Sequence, residues 1–252
     1  MQSLFQVEHL QKVIQEHLII EDISLTLEAG EIFVLVGESG AGKSTLLQVL
    51  SCLTPASSGR IWLDGKDITG SALYLIPGHA DIKLVPQEYR LLPNHTVREN
   101  ITYALREYTK EYQHERLSEL LQLTGLERVQ NKLPREISGG EKQRTAIARA
   151  IADEPKVLLL DEPFSNLDTL NQQKLKREFQ RIIQETGIAC LFVTHDLLDA
   201  LTVSDRMGVM HKGRILQSGT ATELLHNPVN EYVRDFLTSG LAILEEVKQR
   251  LL

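Results

Sequence analysis

Short apolar runs alternate along the chain with segments of helical patterning. Ile32-Phe33-Val34-Leu35-Val36, Val157-Leu158-Leu159-Leu160 and Ala189-Cys190-Leu191-Phe192-Val193 are the clearest runs, and each reads as a buried strand. A helix is predicted from Lys43 through Leu50, directly after the first of them. Continuous apolar strands alternating with helices predict an α/β fold with a mostly parallel sheet covered on both faces. In such a sheet each strand-to-helix loop opens at the carboxyl edge, where ligands collect.

Two regions break this rhythm. Near the start, Ser24-Leu25-Thr26-Leu27 and Arg60-Ile61-Trp62-Leu63-Asp64-Gly65-Lys66 predict short antiparallel strands, with Asp64-Gly65 as a hairpin-type turn. From Thr96 to Lys132 the chain is polar and helical, with Leu117, Leu120 and Leu121 at helical spacing and no strand signal. The expected organisation is a single domain over 1–252. Its core, with an antiparallel β-subdomain, occupies approximately 1–95 and 136–215. A helical insertion fills approximately 96–135, and a C-terminal helical tail approximately 216–252. Within that tail, residues 241–252 are amphipathic and are expected to pack on their own domain.

Composition narrows the class. The 252 residues are 42% hydrophobic and 24% charged, ordinary for a globular protein with a sizeable core. Lys+Arg 27 against Asp+Glu 34 gives a formal net charge of −7, which argues against broad nucleic-acid binding. No apolar run approaches the roughly 18–20 residues that span a bilayer. Met1-Gln2-Ser3-Leu4-Phe5 has no basic region followed by a long apolar stretch, so no secretory signal is expected. Cys52 and Cys190 are far apart and form no paired motif, and are expected to be buried free thiols in a reducing, cytoplasmic setting.

Candidate chemistry begins at Gly37-Glu38-Ser39-Gly40-Ala41-Gly42-Lys43-Ser44-Thr45, between a predicted strand and a predicted helix. The spacing G-x-x-x-x-G-K-S/T is met by Gly37, Gly42, Lys43 and Ser44. Glycines let the loop wrap so that successive backbone N–H groups face inward at the positive end of the helix. Lys43 is expected to reach the β- and γ-phosphates of a nucleoside triphosphate, and the Ser44 hydroxyl to ligate Mg2+. A glycine-rich turn that only caps a helix is the plainer alternative, and the flanking strand and helix weigh against it. Asp161 ends a buried strand, where its carboxylate can meet the metal directly or through water. Glu162, next along and pointing elsewhere, can polarise the water that attacks the γ-phosphate.

Between cradle and carboxylates stands Ile137-Ser138-Gly139-Gly140-Glu141-Lys142-Gln143-Arg144, and with it the chain resembles the ATP-binding cassette ATPases. Ser138-Gly139-Gly140-Glu141 matches that family's signature, although Lys142 stands where glutamine is common. Gln87, in Leu84-Val85-Pro86-Gln87, matches the glutamine loop. Asp168, in Ser165-Asn166-Leu167-Asp168, matches the aspartate loop, and His195, after Phe192-Val193-Thr194, the switch histidine. The motifs stand in family order and span nearly the whole chain.

The resemblance implies a P-loop NTPase core with ATP and Mg2+ as cofactors. Glu162 and His195 would be catalytic, and Ser44, Gln87 and Asp161 would surround the metal. Residues Gly37 to Thr45, Gln87, Ser138, Gly139, Gly140, Glu141 and Asp168 would surround the nucleotide. Ser138 can cap the following helix, and Gly139 and Gly140 allow a phosphate to approach its N-terminus. The chain has two anion cradles yet one Asp-Glu pair, and the resemblance implies a head-to-tail homodimer, in which one copy's signature closes over ATP held by the other. Family members commonly place an aromatic ring against adenine, and here Ile14 falls at that position. Aliphatic cover predicts weaker base discrimination, with GTP tolerated.

Phe164-Ser165 and the tail residues Asn227-Pro228, Tyr232, Val233 and Phe236 look like importer subunits. The resemblance therefore implies an ATP-hydrolysing subunit, cytoplasmic and peripheral on the cell membrane, that drives a small-solute importer. It would dock on separate transmembrane permease subunits through a groove near Leu91-Leu92-Pro93-Asn94, and no nucleic-acid partner is expected. A soluble cassette ATPase acting on nucleic acid, ribosomes or iron–sulfur assembly, and an exporter ATPase, are the alternatives.

Overall fold

A computed structural model describes residues 3–70, 77–165 and 169–239. Asp168 and the amphipathic 241–252 segment lie outside the described residues. The strands of the first half are β1 (Phe5–Ile14), β2 (His17–Leu27), β3 (Ile32–Val36), β4 (Ser58–Leu63), β5 (Lys66–Asp67) and β6 (Ile82–Val85). Those of the second are β7 (Val157–Asp161), β8 (Ala189–Thr194), β9 (Arg206–His211) and β10 (Arg214–Gly219). Helices α1 (Lys43–Leu50), α2 (Val97–Thr102), α3 (Lys110–Thr124), α4 (Gly139–Ala150), α5 (Thr169–Thr186), α6 (Leu197–Val203) and α7 (Ala221–His226) are followed by α8 over 231–239.

The strands form two sheets. One is antiparallel, in the order β2-β1-β4-β5, and its last turn is Asp64-Gly65, both residues at positive φ (+50° and +70°) as a tight hairpin requires. The other runs β10-β9-β3-β8-β7-β6, parallel from β9 to β6 with β10 antiparallel at the edge. The early antiparallel strands are longer than their sequence pattern suggested, because polar edge positions continue each pairing past the apolar stretch.

Alternation along the parallel strands sorts side chains into two cores. Phe33, Leu35, Leu159, Leu191 and Val193 face the antiparallel sheet and α1. Ile32, Val34, Val36, Leu158, Leu160 and Phe192 face α2 to α6. Every residue of β3 is buried, and at about 1.5–3 kcal/mol per large apolar side chain this strand anchors the domain. Leu117, Leu120 and Leu121 of α3 join the helical core, as their spacing predicted. Residues 97–150 carry helices and no strand, and they separate β6 from β7, which pair directly in the sheet.

Candidate active site

Gly37, Gln87, Glu162 and His195 follow the carboxyl ends of β3, β6, β7 and β8, so four adjacent parallel strands deliver them to one edge. The loop after β3 is held by its surroundings. A Cβ added at Gly37 would collide with the Met210 carbonyl oxygen, and one at Gly42 would lie 2.9 Å from the Ile19 carbonyl oxygen. The Gly213 N–H donates to Ala41 O at 3.0 Å. The cradle is thus clamped between β2 and the β9–β10 turn. Gly40 and Gly42 take φ of +83° and +101°, which favour glycine, and nothing stands within 4 Å of where a Gly40 Cβ would project.

Gly42 caps α1 with no side chain to satisfy the first amide groups, so these are left for an anion at the helix's positive end. Lys43 is 7% exposed, and its Nζ donates to Gly37 O at 2.7 Å and Glu38 O at 2.9 Å. Burial pushes its pKa below the usual lysine range, against the pull of Glu162 and Asp161. A buried ammonium with carbonyl partners only is poised for a stronger acceptor. These features fit a polyphosphate.

Ser44, Gln87 and Asp161 line one cleft of about 570 Å³, together with Gln48, Arg90 and Arg149. Burial raises the Asp161 pKa and Glu162 raises it further, while the Ser44 hydroxyl and Lys43 oppose the shift. The Asp161 carboxylate with hydroxyl and amide oxygens, in a cleft that Glu88 also lines, suits Mg2+, which binds through one or two carboxylates and completes its shell from phosphate and water. Arg149 pins the Gln87 loop by donating to Arg90 O at 3.0 Å and Tyr89 O at 3.1 Å.

Glu162 adopts φ +47°, a left-handed conformation that costs a side-chain-bearing residue about 1–2 kcal/mol. Its N–H donates to Val193 O at 2.9 Å, which extends the β7–β8 pairing one residue beyond the strand. Its Oε1 then stands 2.8 Å from His195 Nδ1. The sequence motifs named Glu162 and His195 separately, and the structure joins them.

Ser138 caps α4 as expected: its hydroxyl accepts the Glu141 N–H, and the Glu141 carboxylate accepts from Ser138 N at 2.8 Å. Glu141 is therefore occupied in the cap. None of Ser138, Gly139, Gly140 and Glu141 lines the cleft of Ser44, Gln87 and Asp161. Ile14 ends β1 opposite His17 and is 41% exposed, beside Val13 at 42% and Leu18 at 48%. From that apolar hairpin tip β2 carries Ile19 past Gly42. Cys52 and Cys190 are buried free thiols, with Cys52 pushed up to about 11 by burial. Sequence reading missed Ile19, Met210 and Gly213 as braces of the cradle. The Lys212-Gly213 turn pair signals a hairpin but not its neighbour, since it is the strand order that brings them together.

The family described as "ABC transporter" matches residues 20–165. The spermidine/putrescine import ATP-binding protein PotA of Thermotoga maritima is 40% identical over 92% of this chain and 62% of its own length. The Fe(3+) ions import ATP-binding protein FbpC of Agrobacterium fabrum is 40% identical over 95% of this chain and 67% of its own. The chain thus spans about three-fifths to two-thirds of the curated relatives it matches. Among solved structures, cbiO1 of Clostridium perfringens, part of the ABC transporter complex cbiONQ, superimposes with TM-score 0.81 at 28% identity, covering 89% of this chain and 91% of that one. An ATP-binding cassette described as a dimeric post-hydrolysis state with ADP and Pi gives 0.72 at 27% identity, over 86% and 98%. With the cradle, the cleft and the capped signature helix in family order, and a family match over more than half its length, this chain belongs to the ABC transporter family.

Proposed function

We propose that the chain is the ATP-hydrolysing subunit of a membrane importer of a small solute, acting as a head-to-tail homodimer on separate permease subunits. One observation carries the reading: Ser44, Gln87 and Asp161 share a cleft that the signature residues do not line. In this reading a second copy supplies Ser138, Gly139 and Gly140 to the same nucleotide. Lys43 and the amides from Gly37 to Thr45 hold the polyphosphate, and Ser44, Gln87 and Asp161 hold Mg2+. The metal, when bound, neutralises charge across the phosphates. Glu162 takes a proton from the attacking water, and His195, hydrogen-bonded to it, fixes that carboxylate. Asp168, by its match to the aspartate loop, and Ile14, at the base, complete the nucleotide-binding set in this reading.

Residues 1–95 and 136–215 form the core, 96–135 the helical insertion and 216–252 the tail in this reading. A groove of about 720 Å³ between β6 and the helical segment, lined by Leu92, Tyr103, Arg106, Tyr108 and Ala146, offers the permease a docking surface. Among the described residues no helix is long and apolar enough to cross a membrane. In this reading the permease is made of separate chains, and the subunit is peripheral on the cytoplasmic face. Relatives of similar identity are named for polyamine, iron and molybdate/tungstate import, which supports a cargo set by the permease. Nucleotide favours the closed dimer and hydrolysis reopens it, and the difference in affinity between the two states does the work.

The test is affinity capture from detergent extract, with ATPase assay of the captured complex. Co-purification of polytopic membrane proteins whose addition stimulates turnover is the expected result. Recovery of nucleic acid or ribosomes instead, with no membrane protein, would overturn the transporter assignment.

A further inference from the structure

Helix α5 lies between α4, which starts at the signature, and α6, which follows His195, and it packs against both. Two ion pairs leave it in different directions. Lys176 Nζ meets Asp199 Oδ1 of α6 at 2.6 Å, with the side chains 11% and 3% exposed. Glu178 Oε2 meets Arg144 Nη1 of α4 at 3.3 Å, where the exposures are 27% and 20%. Positions two apart are separated by about 200° around a helix axis, so one pair faces each neighbour.

The Asp199 end reaches the active-site loop. Thr194 Oγ1 donates to Asp199 Oδ2 at 3.4 Å and accepts the Asp196 N–H at 3.0 Å, so the residues on both sides of His195 are tied to α6. Beneath them, Phe179 of α5 meets Phe164 and Phe192 edge-to-face at 5.8 and 6.2 Å. Phe164 lies two residues after Glu162, and Phe192 three before His195. Buried ion pairs contribute little net stability over apolar residues of the same size. What they fix is geometry.

We infer that α5 is a strut tying the tilt of the signature helix to the placement of His195, with Arg144, Glu178, Lys176 and Asp199 as positioning residues. The inference rests on the homodimer proposed above. There the signature of one chain closes over nucleotide held by the other, while His195 faces nucleotide held by its own. Closure at one site then sets the Glu162–His195 geometry at the other, and turnover is positively cooperative in ATP. Such coupling between binding steps is reciprocal.

The experiment measures kcat, KM, Hill coefficient and Tm of the full chain, alone and with its permease. Glu178→Arg and Arg144→Glu should each lower kcat about 2- to 30-fold with KM nearly unchanged and bring the Hill coefficient toward one; the exchanged pair should restore both. Lys176→Met with Asp199→Asn, which leaves no buried unpaired charge, should show the same loss while still folding. Variants that shift Tm alone, with kcat and Hill coefficient at wild-type values, overturn the strut. A wild-type chain with no ATP turnover overturns the enzymatic reading beneath it, and so the two failures are told apart.

Discussion

His195 Nδ1 sits 2.8 Å from Glu162 Oε1 although 33 positions separate the two residues. The contact exists because β7 and β8 pair in parallel and end level with each other, Asp161 opposite Val193. Glu162 is bent by its positive φ toward the neighbouring strand's outgoing loop. The two side chains are thus brought together by two adjacent strand ends.

Glu162→Gln should retain nucleotide binding and lose about 10²- to 10⁴-fold in turnover, the usual scale for removing a general base. The variant should also accumulate as a nucleotide-bound dimer on size-exclusion chromatography. Hydrolysis at the wild-type rate would remove Glu162 from that role.

Lys43→Ala should fail at an earlier step. It strips the cradle of its buried charge and leaves Gly37 O and Glu38 O without their donor. Nucleotide Kd should rise at least about tenfold, readable by fluorescent-nucleotide titration.

Gly37→Ala tests the clamp on the cradle. Its added methyl would strike the Met210 carbonyl, a backbone atom that cannot step aside cheaply. A loss of about 1–3 kcal/mol in thermal or denaturant unfolding is expected, together with weakened nucleotide binding. Gly40→Ala meets no such wall, so its defect should come from backbone conformation alone.

Ile14→Tyr should tighten ATP binding and widen its preference over GTP, by up to about tenfold for an added aromatic contact. The side chain is already exposed at a hairpin tip, so stability should not suffer. Equal titration curves for the two proteins with both nucleotides would remove Ile14 from the base site.

Acid stability follows from the helix caps. Hydrogen bonds from Thr96 and Thr220 lower the pKa of Glu99 and Glu223. At Glu141 burial raises the pKa, but hydrogen bonds from Ser138 outweigh it and the net shift is downward. A carboxylate lowered on folding stabilises the folded state above its unfolded pKa of about 4.3, and that stabilisation is lost as pH falls through the folded value. Melting temperature should therefore fall below about pH 4.3, and less steeply when the three glutamates are replaced by glutamine.

Much of this was readable in the chain. Ile32–Val36 and Lys43–Leu50 appear as the strand and helix that their patterns predict, because continuous burial and a clear start signal leave little choice. That Ser44, Gln87 and Asp161 gather in one cleft was also foreseeable, since Asp161 ends β7, Gln87 closely follows β6 and Ser44 opens the helix after β3. Less legible was β6, whose run of four residues is broken by Lys83, and the pairing that seats it beside β7 across a long insertion. The Lys176–Asp199 pair was invisible for the same reason. Its members are 23 positions apart and meet only once two helices have packed.

The brace on the cradle has a consequence for biosynthesis. Gly37 is seated against Met210 and Ala41 against Gly213, and β3 lies between strands that are translated more than 150 residues after it. A ribosome exposes the phosphate loop early, yet the wall behind it emerges only near the last strands. The loop's backing is therefore absent until β9 and the β9–β10 turn have been made, and the cradle is expected to take its shape only after them.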